Sequence, residues 1–214
     1  RGSGELQTMP TFVTPSCGTV PRDGRLDLQL DYLSKVGLPL RVLQVYDLLI
    51  AIDWLSSNPN ADSVGIVGIS GGGVVASYVA ALDLRIEAVV LSNSLRLDSD
   101  GSSTEKPSYP PPPDTIYEHV QRSAPLWPQQ INSLADDFNL LVAGLIAPRP
   151  LMMQYGDSDN INWLTGGPAA VDYIGELYQR LHREENFTFD LQNGGHELFP
   201  NPIVSFLMES MSPN

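Results

Sequence analysis

The amino-acid sequence predicts an α/β fold with a mostly parallel sheet, and three consecutive stretches predict it. Val64-Gly65-Ile66-Val67-Gly68-Ile69 is a short β-rich run without alternation, the pattern of a parallel strand buried on both faces. Residues 71–82 follow as a small-residue helix, with Val74, Val75, Ala76, Val79 and Ala80 able to lie close against a sheet. Ile86 to Leu91 is a second apolar strand. Strand, helix and strand within about thirty residues make a βαβ unit, the crossover that parallel pairing requires.

The other elements follow in order. Arg1-Gly2-Ser3-Gly4-Glu5 is turn-like and lacks the charged, apolar and cleavage regions of a signal peptide. Residues 6–30 lack periodicity and read as loop. Leu40 to Leu55 is densely apolar, with Arg41, Gln44 and Asp47 spaced as a narrow polar stripe, so a largely buried helix is expected. Asn58, Pro59 and Asn60 stop it. Residues 94–139 break the rhythm with Tyr109 before four prolines, Pro110 to Pro113, and with Trp127-Pro128. A proline run cannot donate to a ladder and stays extended, so this stretch is read as a surface insertion in one domain spanning 1–214. Leu151 to Tyr155 resumes the sheet and ends at Gly156. A helix from about Pro168 to His182 carries Val171, Ile174, Leu177, Tyr178 and Leu181 on one face. Phe187 to Leu191 alternates as a strand, and Ile203 to Met208 closes the chain as a short helix. No internal repeat is visible.

Composition narrows the function. The 25 acidic residues outnumber the 12 Lys and Arg, giving a net charge of -13. Nucleic acid and anionic membrane surfaces attract clustered cations, so neither is an expected partner. No apolar run reaches the roughly 18 residues of a membrane-spanning helix. The single Cys17 excludes an internal disulfide and a multi-cysteine metal site. The acidic balance selects neither an exported nor a cytoplasmic location.

Gly68-Ile69-Ser70-Gly71-Gly72 matches G-x-S-x-G. At ordinary glycine and serine usage, about 0.07 such matches are expected by chance in a chain this long. Its context is that of a nucleophile elbow: a buried strand ends at Ser70 and a small-residue helix begins after it. The helix start aims N–H groups and a positive dipole end at a developing oxyanion. The rival, a glycine-rich phosphate turn, fits poorly. The dinucleotide fingerprint is incomplete, and the next strand ends in Asn93 and Ser94 where an acidic residue belongs.

A serine nucleophile needs a base, and the chain holds three histidines. His119 falls in the proline-rich stretch and His182 at a charged helix end, both solvent-facing on this reading. His196 follows a strand and a Gly194-Gly195 turn, on the carboxyl edge where open parallel sheets place their sites. The orienting acid belongs between serine and histidine in chain order. Asp157 and Asp159 both follow the strand ending at Gly156; Asp159 has the longer reach and is preferred, with Asp157 in reserve.

Together these segments resemble a known family. Gly68 to Gly72, Ala147-Pro148-Arg149-Pro150-Leu151, Gly156-Asp157-Ser158-Asp159 and Gly194-Gly195-His196-Glu197 are similar to the α/β-hydrolase superfamily. They most resemble its acetyl-xylan-esterase and dienelactone-hydrolase-like branch, as does the helix Val45 to Leu55. The resemblance covers about 36–93 and 134–206. It implies Ser70 as nucleophile, Asp159 as acid, His196 as base and the Gly71 N–H as one oxyanion donor, with no metal or organic cofactor. Arg149 is given a structural role. The implied reaction is hydrolysis of a carboxylic ester of a small molecule or carbohydrate, acetyl groups included, through an acyl-enzyme. Arg1 to Glu5 resembles the loop after the fourth strand of the hydrolase sheet, so the expected fold lacks its amino-terminal strands and the loop carrying the second oxyanion donor. The chain is then expected to be the carboxyl-terminal part of a longer enzyme.

Two rival functions share these residues: a serine peptidase of the prolyl-oligopeptidase type, and a non-catalytic hydrolase-fold binding module. Trp54, Tyr46 and Tyr78 are expected in the core, and Trp127 and Trp163 are candidates to line a pocket. Asp136-Asp137 and Glu184-Glu185 are read as solvated surface, and Cys17 has no role assigned.

Overall fold

The computed structural model describes residues 40–59, 61–97 and 139–211. Helix α1 spans Leu40–Ser56, strand β1 Val64–Ile69, helix α2 Gly71–Leu82 and strand β2 Ile86–Ser92. After a helical stretch at 139–144 come strand β3 at Leu151–Gly156, helix α3 at Gly167–Arg180, strand β4 at Phe187–Gln192 and helix α4 at Pro200–Ser210. Residues 1–39, Cys17 among them, lie outside the described residues, as do His119, Trp127, Asp136-Asp137 and all but the ends of the proline-rich stretch.

The four strands form one all-parallel sheet in sequence order, β1-β2-β3-β4. Side-chain alternation splits the central strands between two cores. Val89 and Leu91 of β2 join Leu151, Met153 and Tyr155 of β3 against α1, α2 and α3. Ala88, Val90 and Met152 point the other way, onto Ile203 and Phe206 of α4. Both central strands are covered on both faces, which is why their sequences show no polar alternation. Each fully buried leucine or methionine there contributes roughly 2 kcal/mol of transfer free energy.

Two expectations about burial are corrected. Strand β1 pairs only with β2 among the described residues, and Val67 is 39% exposed, so it is not a strand buried on both faces. Helix α1 buries Val45 and Ile52, but Val42, Tyr46, Ile50 and Trp54 form an i, i+4 stripe that is about half exposed. Tyr46 and Trp54 are therefore not core in this structure. An apolar helix composition says how much surface seeks cover, not which face receives it.

Arg149 has the structural role expected of it. Its guanidinium donates to the carbonyls of Ala80 (2.6 Å), Ile86 (2.8 Å), Asp83 (3.2 Å) and Ile146 (3.2 Å), closing the carboxyl end of α2 and the turn into β2. The Tyr178 hydroxyl donates to the Arg149 carbonyl at 2.6 Å, and burial raises that phenol's pKa.

Candidate active site

Parallel strands deliver all their carboxyl ends to one edge, and every predicted site residue lies there. Ser70 follows β1, Asn93 follows β2, Asp157 and Asp159 follow β3, and His196 follows β4.

Ser70 joins β1 to α2 as the single residue between them, with φ 55 and ψ -128. A side chain in that region carries strain of about 1–3 kcal/mol, which persists only where the surroundings impose it. Here they do. The Ser70 N–H donates to Ser92 O at 2.9 Å, and its carbonyl accepts from Gly73 N (2.9 Å) and Val74 N (3.2 Å). Its hydroxyl is not spent on capping the helix. No backbone carbonyl among the described residues takes the Gly71 N–H, the first of α2.

The small residues around Ser70 have separate reasons. A Cβ on Gly68 would run into the backbone of Gly72 and Gly73, so that glycine lets the strand end touch the helix start. A Cβ on Gly73 would strike the Ser94 side chain, whereas one on Gly72 meets nothing within 4 Å. The second glycine of the pattern is thus not the sterically required one; its neighbour Gly73 is.

Of the two candidate acids, Asp159 is the one that lies against His196. Asp159 is 1% exposed, and its Oδ2 lies 3.1 Å from His196 Nδ1. Its Oδ1 accepts the N–H groups of Ile161 (2.8 Å) and Asn162 (3.3 Å). An ionised carboxylate only accepts, so the proton of that pair sits on Nδ1, leaving the Nε2 lone pair free. Asp157 does not reach the ring. It is exposed, and its Oδ1 accepts from Ser158 Oγ (2.8 Å) and from Gly194 N (3.2 Å), tying down the turn before His196. Among the described residues no hydrogen bond joins Ser70 Oγ to His196; the structure pairs acid with histidine and sets the serine on the same edge.

Two residues at this edge went unnoticed as site residues. Asn93 and Gln154, both fully buried, fix the loop that carries His196. Gln154 Nε2 donates to Phe199 O (3.0 Å) and to Asp190 Oδ2 (2.8 Å), and its Oε1 accepts from Phe199 N (3.1 Å). The available signal was a lone amide inside the apolar strand Leu151-Met152-Met153-Gln154-Tyr155. Trp163 packs as border of the core, 5.3 Å from the Tyr155 ring and 5.5 Å from that of Phe189. His182 is exposed, as expected. No three His, Cys, Asp or Glu side chains cluster as metal ligands among the described residues.

Solved structures share this fold. A methylesterase superposes with TM-score 0.53 at 24% identity over 79% of this chain and 35% of its own. A glucuronoyl esterase from Solibacter usitatus gives 0.57 at 15% identity, over 78% and 48%. A promiscuous CE15 esterase from a marine bacterial metagenome gives 0.58 at 16%, over 86% and 53%. The fold is that of an α/β-hydrolase. The chain spans about half or less of the length of these esterases. No protein-family model matches the sequence, and no curated protein matches it.

Proposed function

We propose that the protein hydrolyses carboxylic esters through a serine acyl-enzyme, with Ser70 as nucleophile, His196 as general base and Asp159 as orienting acid. The observation that carries this reading is the strained Ser70 turn standing on the same sheet edge as the buried Asp159 and the half-buried His196 paired with it. The naming of the structural neighbours as esterases supports the reaction class.

In this reading Ser70 Oγ attacks the ester carbonyl carbon while its proton passes to His196 Nε2. The imidazolium is held by Asp159 through Nδ1–H, and the new oxyanion accepts from the Gly71 N–H at the positive end of α2. Collapse of the tetrahedral species breaks the ester C–O bond, and the departing alkoxide takes the proton from His196. Water then repeats the sequence on the acyl-enzyme and releases the acid. Each named group belongs to this chain, and the substrate class is a small acyl ester of a small molecule or a carbohydrate, acetyl esters included.

The test is hydrolysis of 4-nitrophenyl acetate together with labelling by a fluorescent organophosphonate. Ser70→Ala is expected to abolish both. Labelling that persists in Ser70→Ala refutes the assignment, and cleavage of a peptide anilide in preference to the acetate would make the protein a peptidase instead.

A further inference from the structure

We infer that Asn93 is a positioning residue that fixes the acid loop and the base loop relative to one another; this rests on the serine-hydrolase reading above. Asn93 follows β2, the strand lying between those that lead to Ser70 and Asp159, and it is fully buried with φ 43. A non-glycine residue in the left-handed region is strained, and asparagine is among the few that tolerate it. The backbone turn there aims the amide across both loops. Asn93 Nδ2 donates to the carbonyl of Glu197, the residue after His196, at 2.6 Å. Asn93 Oδ1 accepts the N–H of Gly156 at 3.0 Å, where the chain leaves β3 for Asp159. The Asn93 main-chain carbonyl accepts from Asn162 Nδ2 at 2.6 Å, and the Asn162 N–H in turn donates to Asp159 Oδ1.

One residue thus holds the loop of the acid at two points and the loop of the histidine at a third. No apolar contact could do this, because hydrogen bonds at these lengths fix direction as well as distance. The 3.1 Å separation of Asp159 and His196 is the quantity they set. Gln154 pins the far end of the same loop at Phe199 and Asp157 holds its start at Gly194, so without the Asn93 amide the loop keeps its two ends but loses the anchor next to His196.

The experiment uses the whole chain and two variants. Asn93→Gly accepts φ 43 without strain and removes the amide, so the backbone turn is kept while the link is lost, and a urea melt of the variant checks that it is folded. Asn93→Asp keeps the acceptor for Gly156 but sets a second oxygen against the Glu197 carbonyl. Organophosphonate labelling of Ser70 is expected to slow in both by roughly 100-fold, the scale of an ångström of misplacement. The downfield Nδ1–H proton resonance of His196 is expected to weaken or shift in both, a change that a purely structural role leaves untouched. Where Asn93→Gly or Asn93→Asp retains the parent resonance and a labelling rate within about threefold, the positioning role is overturned. The resonance is read without turnover, so it reports on Asn93 even if the Ser70→Ala result overturns the serine reading.

Discussion

Replacing Asp159 with asparagine exchanges one oxygen for an NH2 group, and the structure dictates which one. Oδ1 faces two N–H donors, from Ile161 and Asn162, so the amide oxygen must stay there. The new NH2 then takes the place of Oδ2, 3.1 Å from His196 Nδ1, where it can only donate. His196 is forced into the Nε2–H tautomer, and its catalytic nitrogen loses the lone pair needed to take the Ser70 proton. That inversion is worth on the order of 10,000-fold in a serine triad, or about 5 kcal/mol of transition-state stabilisation. Both backbone bonds to Oδ1 survive, so folding stability should fall by no more than about 1–2 kcal/mol. The assay is kcat/KM for 4-nitrophenyl acetate beside a urea melt of the same preparation. Asp157→Asn is the control: the exposed amide still offers an oxygen to Gly194 N, and activity should stay within about threefold. Full activity in Asp159→Asn with loss in Asp157→Asn would refute the reasoning and move the acid to Asp157.

The glycines make a paired prediction: Gly68→Ala should destabilise by about 1–3 kcal/mol through collision with the Gly72 backbone. Gly72→Ala, with open space and a helical first turn, should be neutral or stabilising by up to about 1 kcal/mol; urea midpoints decide both. Arg149→Met strips hydrogen bonds from four carbonyls and should lower stability by on the order of 3 kcal/mol, read by urea melt. The Asp83 carboxyl, hydrogen-bonded by the Arg85 guanidinium, is held below its ordinary value of 3.8. Its folded pKa is depressed, so its contribution to stability is complete above that ordinary value and is lost as pH falls through the folded one. Stability measured against pH should therefore lose part of its acid limb in Asp83→Asn, and an unchanged limb would contradict the assignment.

Much of the site was legible because it depends on local patterns. The run Val64–Ile69 and the small residues after Ser70 already describe a strand, a tight turn and a helix, since each follows from side-chain size and periodicity over neighbouring positions. The positions of Asp159 and His196 followed from strand ends, and chain order supplied their sequence. The choice between Asp157 and Asp159 was different in kind. Both sit in the same short loop, and only the turn that buries one and exposes the other, with Ile161 and Asn162 donating to Asp159, gives the histidine its partner. Asn93 was not singled out as a site residue for the same reason: its partners Gly156, Asn162 and Glu197 lie far along the chain, and no local pattern announces them.

By itself the sequence determined a parallel α/β architecture, a serine at a strand-to-helix turn and a histidine after a strand's carboxyl end, because those follow from spacing within a few residues. Tertiary structure alone decided burial and partnership. It left β1 with Val67 exposed and half of the apolar face of α1 exposed, and it put Asp159 against His196 while Asp157 faces water. The physical reason is common to all of these. Hydrophobicity and hydrogen-bonding capacity are properties of a residue, but which neighbour satisfies them is fixed only when distant strands are brought side by side.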